Sequence, residues 1–171
     1  MTAHYLGKDA NTTTVEWYTP LYIFEALGCC FDLDPASPGK EVVPWIPAKR
    51  CYTREDDGLS QPWQGSVWLN CPYGKHILPL WVERFVDHAN GVMLVPERTS
   101  TRWWQHLTSY ADLVLFVNKK IAFITPCRRK TSAQPIGSCL VAIGDHGVAA
   151  LENANRNGLG RLVRPIVHEA A

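Results

Sequence analysis

The chain has 171 residues, 46% of them hydrophobic, with a formal net charge of +1. That is enough material for one core but not two, and so little charge gives no bulk attraction to nucleic acid, so any contact with a polyanion must come from local clusters. Charge or proline interrupts every apolar run short of the roughly 20 residues a membrane span needs, and the opening MTAHYLGKD lacks a signal-peptide profile, so the expectation is a cytoplasmic protein.

Residues 1–14 are polar and Thr-rich without periodicity and read as a flexible terminus, leaving 15–171 as a single domain. Thr19-Pro20 has the form of an N-cap followed by a first-turn proline, opening a helix through Ala26 that stops at Gly28. Cys30 to Asp34 reads as a buried strand ended by Pro35. Residues 35–65 carry too many prolines and glycines for long elements and read as a large loop. Ser66 to Leu69 is then a strand running into Asn70-Cys71-Pro72-Tyr73-Gly74, and Ile77 to His88 has the apolar spacing of a helix. A strand Val92–Val95, a helix Thr101–Leu107, strands Leu113–Val117 and Ile121–Ile124, a basic loop and a strand Cys139–Ile143 complete the set. Strands alternating with helices argue for a mostly parallel sheet, whose ligands sit beyond the carboxyl ends of its strands, where Asp34, Asn70 and Pro96 fall. The six cysteines show no C-x-x-C spacing; they read as reduced thiols, and no metal site is expected.

Four short patterns carry chemistry. Asn70-Cys71-Pro72-Tyr73 follows a strand and precedes a helix. The amino lone pair of adenine is delocalised into its ring. An Asn oxygen and the next residue's carbonyl can accept both amino hydrogens, favouring a pyramidal nitrogen and stabilising its developing charge, while the aromatic ring stacks on the base. Amino methyltransferases use Asp, Asn or Ser, two prolines and an aromatic there; Cys71 replaces the first proline but keeps its carbonyl, and Pro72 still biases residue 71 toward extended backbone. Alone, the same residues also suit an ordinary strand-ending turn. Phe31-Asp32-Leu33-Asp34-Pro35-Ala36-Ser37 puts two carboxylates at a strand end, where one can hold the ammonium or ribose hydroxyls of S-adenosylmethionine and small residues let it approach; Asp-Pro equally begins a plain turn. Glu16-Trp17-Tyr18-Thr19-Pro20 offers aromatic and hydroxyl contacts or a capped helix start. Asp56-Asp57-Gly58-Leu59 offers a carboxylate to the cofactor's adenine or is a solvated turn.

In this order the four patterns resemble the phage-type DNA N-6-adenine methyltransferase (Dam) family, and the resemblance continues through Pro96-Glu97-Arg98-Thr99, Trp103-Trp104 and Lys120-Ile121-Ala122-Phe123. It implies a class I S-adenosylmethionine-dependent methyltransferase (Rossmann-like) fold, mostly parallel, with helices on both faces, an antiparallel strand near one edge and no separate target-recognition domain. By the same resemblance Trp17, Tyr18, Thr19, Pro20, Asp32, Asp34, Pro35, Ala36, Asp57 and Leu59 bind S-adenosylmethionine, Asn70, Cys71, Pro72 and Tyr73 catalyse, and Phe123 with Tyr73 holds the target base. The basic residues Lys119, Lys120, Arg128, Arg129 and Lys130 flank Phe123 and suit DNA phosphates. The expected reaction is N-6 methylation of adenine in DNA, in a protein of phage or prophage origin; an RNA-base or protein-glutamine methyltransferase, or an inactive DNA-binding relative, are the alternatives.

Overall fold

The computed structural model describes residues 17–127 and 136–166. In chain order its elements are α1 (Leu21–Leu27), β1 (Phe31–Asp34), β2 (Ala48–Cys51), β3 (Val67–Leu69), α2 (Leu78–His88), β4 (Gly91–Pro96), α3 (Arg102–Ser109), β5 (Leu113–Val117), β6 (Ser138–Ile143), α4 (Gly144–Arg156) and β7 (Gly160–Val163). The strands form one seven-stranded sheet in the order β2-β1-β3-β4-β6-β5-β7.

Alternation along the strands divides the core between the two faces of this sheet. Trp68, Val92 and Leu94 pack with Ile23, Phe24 and Leu27 of α1 and Ala150, Leu151 and Ala154 of α4. Val67, Leu69, Met93 and Val95 pack on the other side with Trp81, Val82 and Phe85 of α2 and Trp104 and Leu107 of α3. Helices therefore cover both faces, an arrangement compatible with a methyltransferase fold.

Strand direction keeps the expected parallel majority and places two strands against it. The pairs β1–β2, β1–β3 and β3–β4 are parallel, whereas β4–β6, β5–β6 and β5–β7 are antiparallel. Five of the seven strands thus run the same way, and β6, third from one edge, and the edge strand β7 run against them. The expected strand Ile121–Ile124 reduces to an isolated bridge between Tyr18 and Ile124. The loop expected over 35–65 contains β2, and α4 and β7 extend the fold past the last expected strand. No helix among the described residues is long and apolar enough to cross a membrane.

Local sequence explains the turns that position the site. Gly28 ends α1 with φ +63°, a left-handed conformation that glycine adopts without steric cost. In β1, the N–H groups of both Asp32 and Leu33 donate to the Ser66 carbonyl, at 2.8 and 3.1 Å. Two successive donors on one acceptor make a bulge, and the alternation slips so that Phe31 and Leu33 enter opposite cores.

Candidate active site

The carboxyl end of β3 meets the segment before α1. Asn70 follows β3 directly, and its Nδ2 donates to the Trp17 carbonyl at 2.9 Å and to Thr19 Oγ1 at 3.1 Å. Those two acceptors fix the amide plane and turn Oδ1 toward Tyr73, whose hydroxyl lies 2.8 Å from Asn70 Oδ1 and 2.9 Å from the Leu94 carbonyl. The single phenolic proton serves one of these acceptors at a time. Burial raises the Tyr73 pKa well above the ordinary phenol value, with the neighbouring Cys71 adding to it, so the donor keeps its proton.

Thr19 is fully buried. Its hydroxyl faces Asn70 instead of capping α1, whose N-cap is Pro20 with no side-chain bond. The expected N-cap thus becomes the brace of the Asn70 amide. The Thr19 carbonyl accepts from Trp45 Nε1 at 2.8 Å, tying the segment to the loop before β2. Tyr18 exchanges backbone bonds with Ile124, both 2.9 Å.

Alternation beyond β3 sends Cys71 into the core under α2, where it is 4% exposed. Burial raises its thiol pKa far above the ordinary range, which leaves a neutral group unsuited to nucleophilic attack. Pro72 beside it is exposed.

The two carboxylates of β1 have different surroundings. Asp32 accepts from the Ser66 N–H at 2.8 Å and the Ser66 hydroxyl at 3.1 Å, and pairs with Lys49 Nζ at 2.8 Å. The Lys49 bond, followed by those from Ser66, holds its pKa well below the usual carboxylate range. The structure gives this carboxylate to the β1–β2–β3 junction, so Asp32 does not join the group at the strand ends. Asp34 is 3% exposed and accepts only weakly, from the Ala36 N–H at 3.2 Å and from Ser37. Burial pushes its pKa up to about 7, against the smaller opposing pull of those two bonds.

The Asp57 loop is seated on the Asp34 loop. A Cβ on Gly58 would lie 1.9 Å from the Pro35 carbonyl oxygen, so only glycine permits this approach. Trp63 Nε1 donates to the Gly58 carbonyl at 2.8 Å. Asp56 is spent on its own turn, accepting from the Thr53 N–H at 2.7 Å and the Thr53 hydroxyl at 2.8 Å. Asp57 takes φ +55°, and no described residue donates to its carboxylate. Leu59 packs on the core beneath.

The aromatic side chains divide differently from expectation. Tyr73 packs against the α2–α3 side and Phe123 against the α1–α4 side. Phe123 is 3% exposed, its ring 6.2 Å from that of Trp17 in an edge contact. It backs Trp17 and presents no open face opposite Tyr73. Lys119 and Lys120 are exposed after β5, while Arg128, Arg129 and Lys130 lie outside the described residues. Sequence reasoning passed over Ser37, Trp45 and the Leu94 carbonyl; only Ser37 stood inside a recognised motif, since the other two act through tertiary contacts without a local pattern.

Asp34, Asp57 and Asn70, from three separate motifs, thus converge on one end of the sheet. Comparison with curated proteins yields no significant match. The family model of the DNA N-6-adenine-methyltransferases (Dam) matches residues 8–154, and the chain belongs to that family.

Proposed function

We propose that the protein transfers a methyl group from S-adenosylmethionine to the exocyclic amino group of adenine in DNA, on a sheet of the class I, Rossmann-like type. The observation that carries this reading is the fixed Asn70 amide at the end of β3, with Oδ1 turned away from its two braces.

The residues at the strand ends fit the cofactor. Asp34 is a buried carboxyl with too little hydrogen bonding to ionise at its ordinary pKa, a site that a cationic or hydroxyl-bearing ligand completes. Asp57 adds an acceptor without a described donor, and Pro35, Ala36 and Leu59 supply a small apolar lining. S-adenosylmethionine, when bound, supplies a methyl group on a positively charged sulfur.

The remaining work belongs to the chain. Asn70 Oδ1 and the Cys71 carbonyl accept the two amino hydrogens, which draws the lone pair out of ring conjugation and stabilises the charge that grows on nitrogen. The Leu94 carbonyl gives the Tyr73 proton an alternative acceptor, so Oδ1 can turn its lone pairs to the substrate. The Tyr73 and Trp17 rings offer stacking surfaces to an extruded base. The amine is itself the nucleophile, so no covalent enzyme intermediate is required.

Single-turnover methyl transfer to adenine-containing DNA tests this reading. Asn70→Ala is expected to slow the step about a hundredfold to a thousandfold, as loss of a charge-stabilising group does, with cofactor affinity retained. A wild-type rate in Asn70→Ala, or transfer by the wild type to RNA or protein but not DNA, overturns it.

A further inference from the structure

We infer that the groove between α1 and the edge formed by β5 and β7 seats the nucleotide next to the target adenine and favours a base that carries an amino group there. The inference rests on the reading of the site as a DNA methyltransferase. The groove has a volume of about 590 Å³, and Tyr22, Glu25, Asn118, Lys119, Lys120 and Asn157 line it. That size falls within the range of small-ligand sites.

Its position ties it to the active site. β5 runs antiparallel to β6, and β6 antiparallel to β4, so the carboxyl ends of β5 and β4 share one edge of the sheet. Tyr22 stands in the first turn of the helix that follows Thr19 and Pro20. On the other bank Ala122 lines the groove just before Phe123, and Ile124 is bonded to Tyr18. The segment that braces Asn70 thus leads into one bank of the groove and is bonded next to the other.

Its chemistry orients a nucleotide. Tyr22 is 43% exposed, an aromatic ring open to solvent beside the site, and base stacking on such a ring does not depend on sequence. Lys119 lies exposed on the β5 bank and suits a phosphate, whereas the Glu25 carboxylate on the α1 bank repels one. The phosphate therefore lies along β5 and the base along α1. Asn118 Nδ2 donates to the Gly158 carbonyl at 3.1 Å, and Asn157 Nδ2 donates to the Ala26 carbonyl at 2.9 Å. With one N–H of each amide acting as a brace, the two Oδ1 atoms and the two Glu25 oxygens outnumber the one N–H that each amide keeps. A lining with more acceptors than amide donors matches an exocyclic amino group, which adenine, cytosine and guanine have and thymine lacks.

The test uses the full chain with S-adenosylmethionine and duplex oligonucleotides built round a site that the wild type methylates, with 2-aminopurine placed on either side of the target. Binding to the wild type is expected to quench 2-aminopurine at one of the two neighbours. Tyr22→Ala should abolish that quenching and weaken DNA binding about tenfold, Tyr22→Phe should retain it, and Lys119→Ala should lower the log–log salt slope by about 0.9. Thymine at the quenched position should lower kcat/KM, and Glu25→Gln should shrink that penalty. Cofactor affinity, unchanged in all variants, reports an intact fold. Methylation by the wild type, together with wild-type quenching and affinity in Tyr22→Ala or no thymine penalty at either neighbour, overturns the inference alone. A wild type that neither binds nor methylates DNA overturns the proposed function and this inference with it.

Discussion

Asp32 and Asp34 belong to the same four-residue strand, yet one is a fixture of the fold and the other is held in reserve. At Asp32 the Ser66 N–H, the Ser66 hydroxyl and Lys49 satisfy the charge. At Asp34 the strand has run out, burial is nearly complete, and the carboxyl reaches a pKa of about 7. The Asp56–Asp57 pair repeats the division, one member closing a turn on Thr53 and the other left without a described donor. Residue type does not tell these carboxylates apart; the supply of donors around each one does.

The largest expected effect comes from removing the reserve. Asp34→Asn should weaken S-adenosylmethionine binding about a hundredfold by calorimetric titration, the scale of losing one partner of a buried charge pair. Asp32→Asn should leave that affinity within about twofold, and equal losses in the two variants would erase the distinction.

Acidity sharpens it next. In the proposed site the ionised form of Asp34 receives the cation, so wild-type cofactor affinity should fall about tenfold for each pH unit below about 7. Asp34→Asn should flatten the profile, and a profile of unchanged slope in that variant would assign the proton elsewhere.

Stability should move the two sites in opposite directions. The folded pKa of Asp34 is raised, so its contribution is fully present below the unfolded value of about 4 and is lost as pH rises through about 7. At pH 8 the ligand-free protein therefore carries a buried charge, and Asp34→Asn should raise the denaturation midpoint. Asp32→Ala instead leaves the buried Ser66 N–H without its acceptor and should cost about 1–2 kcal/mol. Denaturant titration at pH 8 reads both, and a loss of stability in both variants would refute the assignment.

The smallest expected effect lies at Cys71. Its thiol packs in the core and its carbonyl does the proposed work, so Cys71→Ala should slow single-turnover transfer no more than about threefold. Inactivity equal to that of Asn70→Ala would give the thiol a direct part in the chemistry.

The turns that follow the strands were more legible in the sequence than the full set of elements was. Strand-to-helix junctions with chemically distinctive residues, such as Asn70 to Tyr73, can be read from local pattern, and their convergence follows from lying at carboxyl ends. Asp32 and Asp34 could not be told apart, because the bulge that separates their fates depends on Ser66 across the sheet. Ala48–Cys51 contains two charged residues and shows no apolar alternation, so β2 is hidden. α4 begins at Gly144 with a second glycine at Gly147 and carries Asn153 and Asn155, weak helix formers that tertiary packing overrides. Phe123 looked like a free aromatic because burial on the α1–α4 face is a property of the whole fold.

The place of β6 in the sheet bears on the order in which the molecule assembles. Ser138–Ile143 lies between β4 and β5 and pairs with both, so during synthesis the edge of β4 that faces β6 stays open until residues 138–143 have emerged. β5 is made earlier but cannot close that edge, being one position too far out. The middle of the sheet is therefore completed late, by a long-range pairing that is slow to find. Until then the apolar strand β4 is an uncovered edge, and shielding it from other chains is the demand this topology places on the nascent protein.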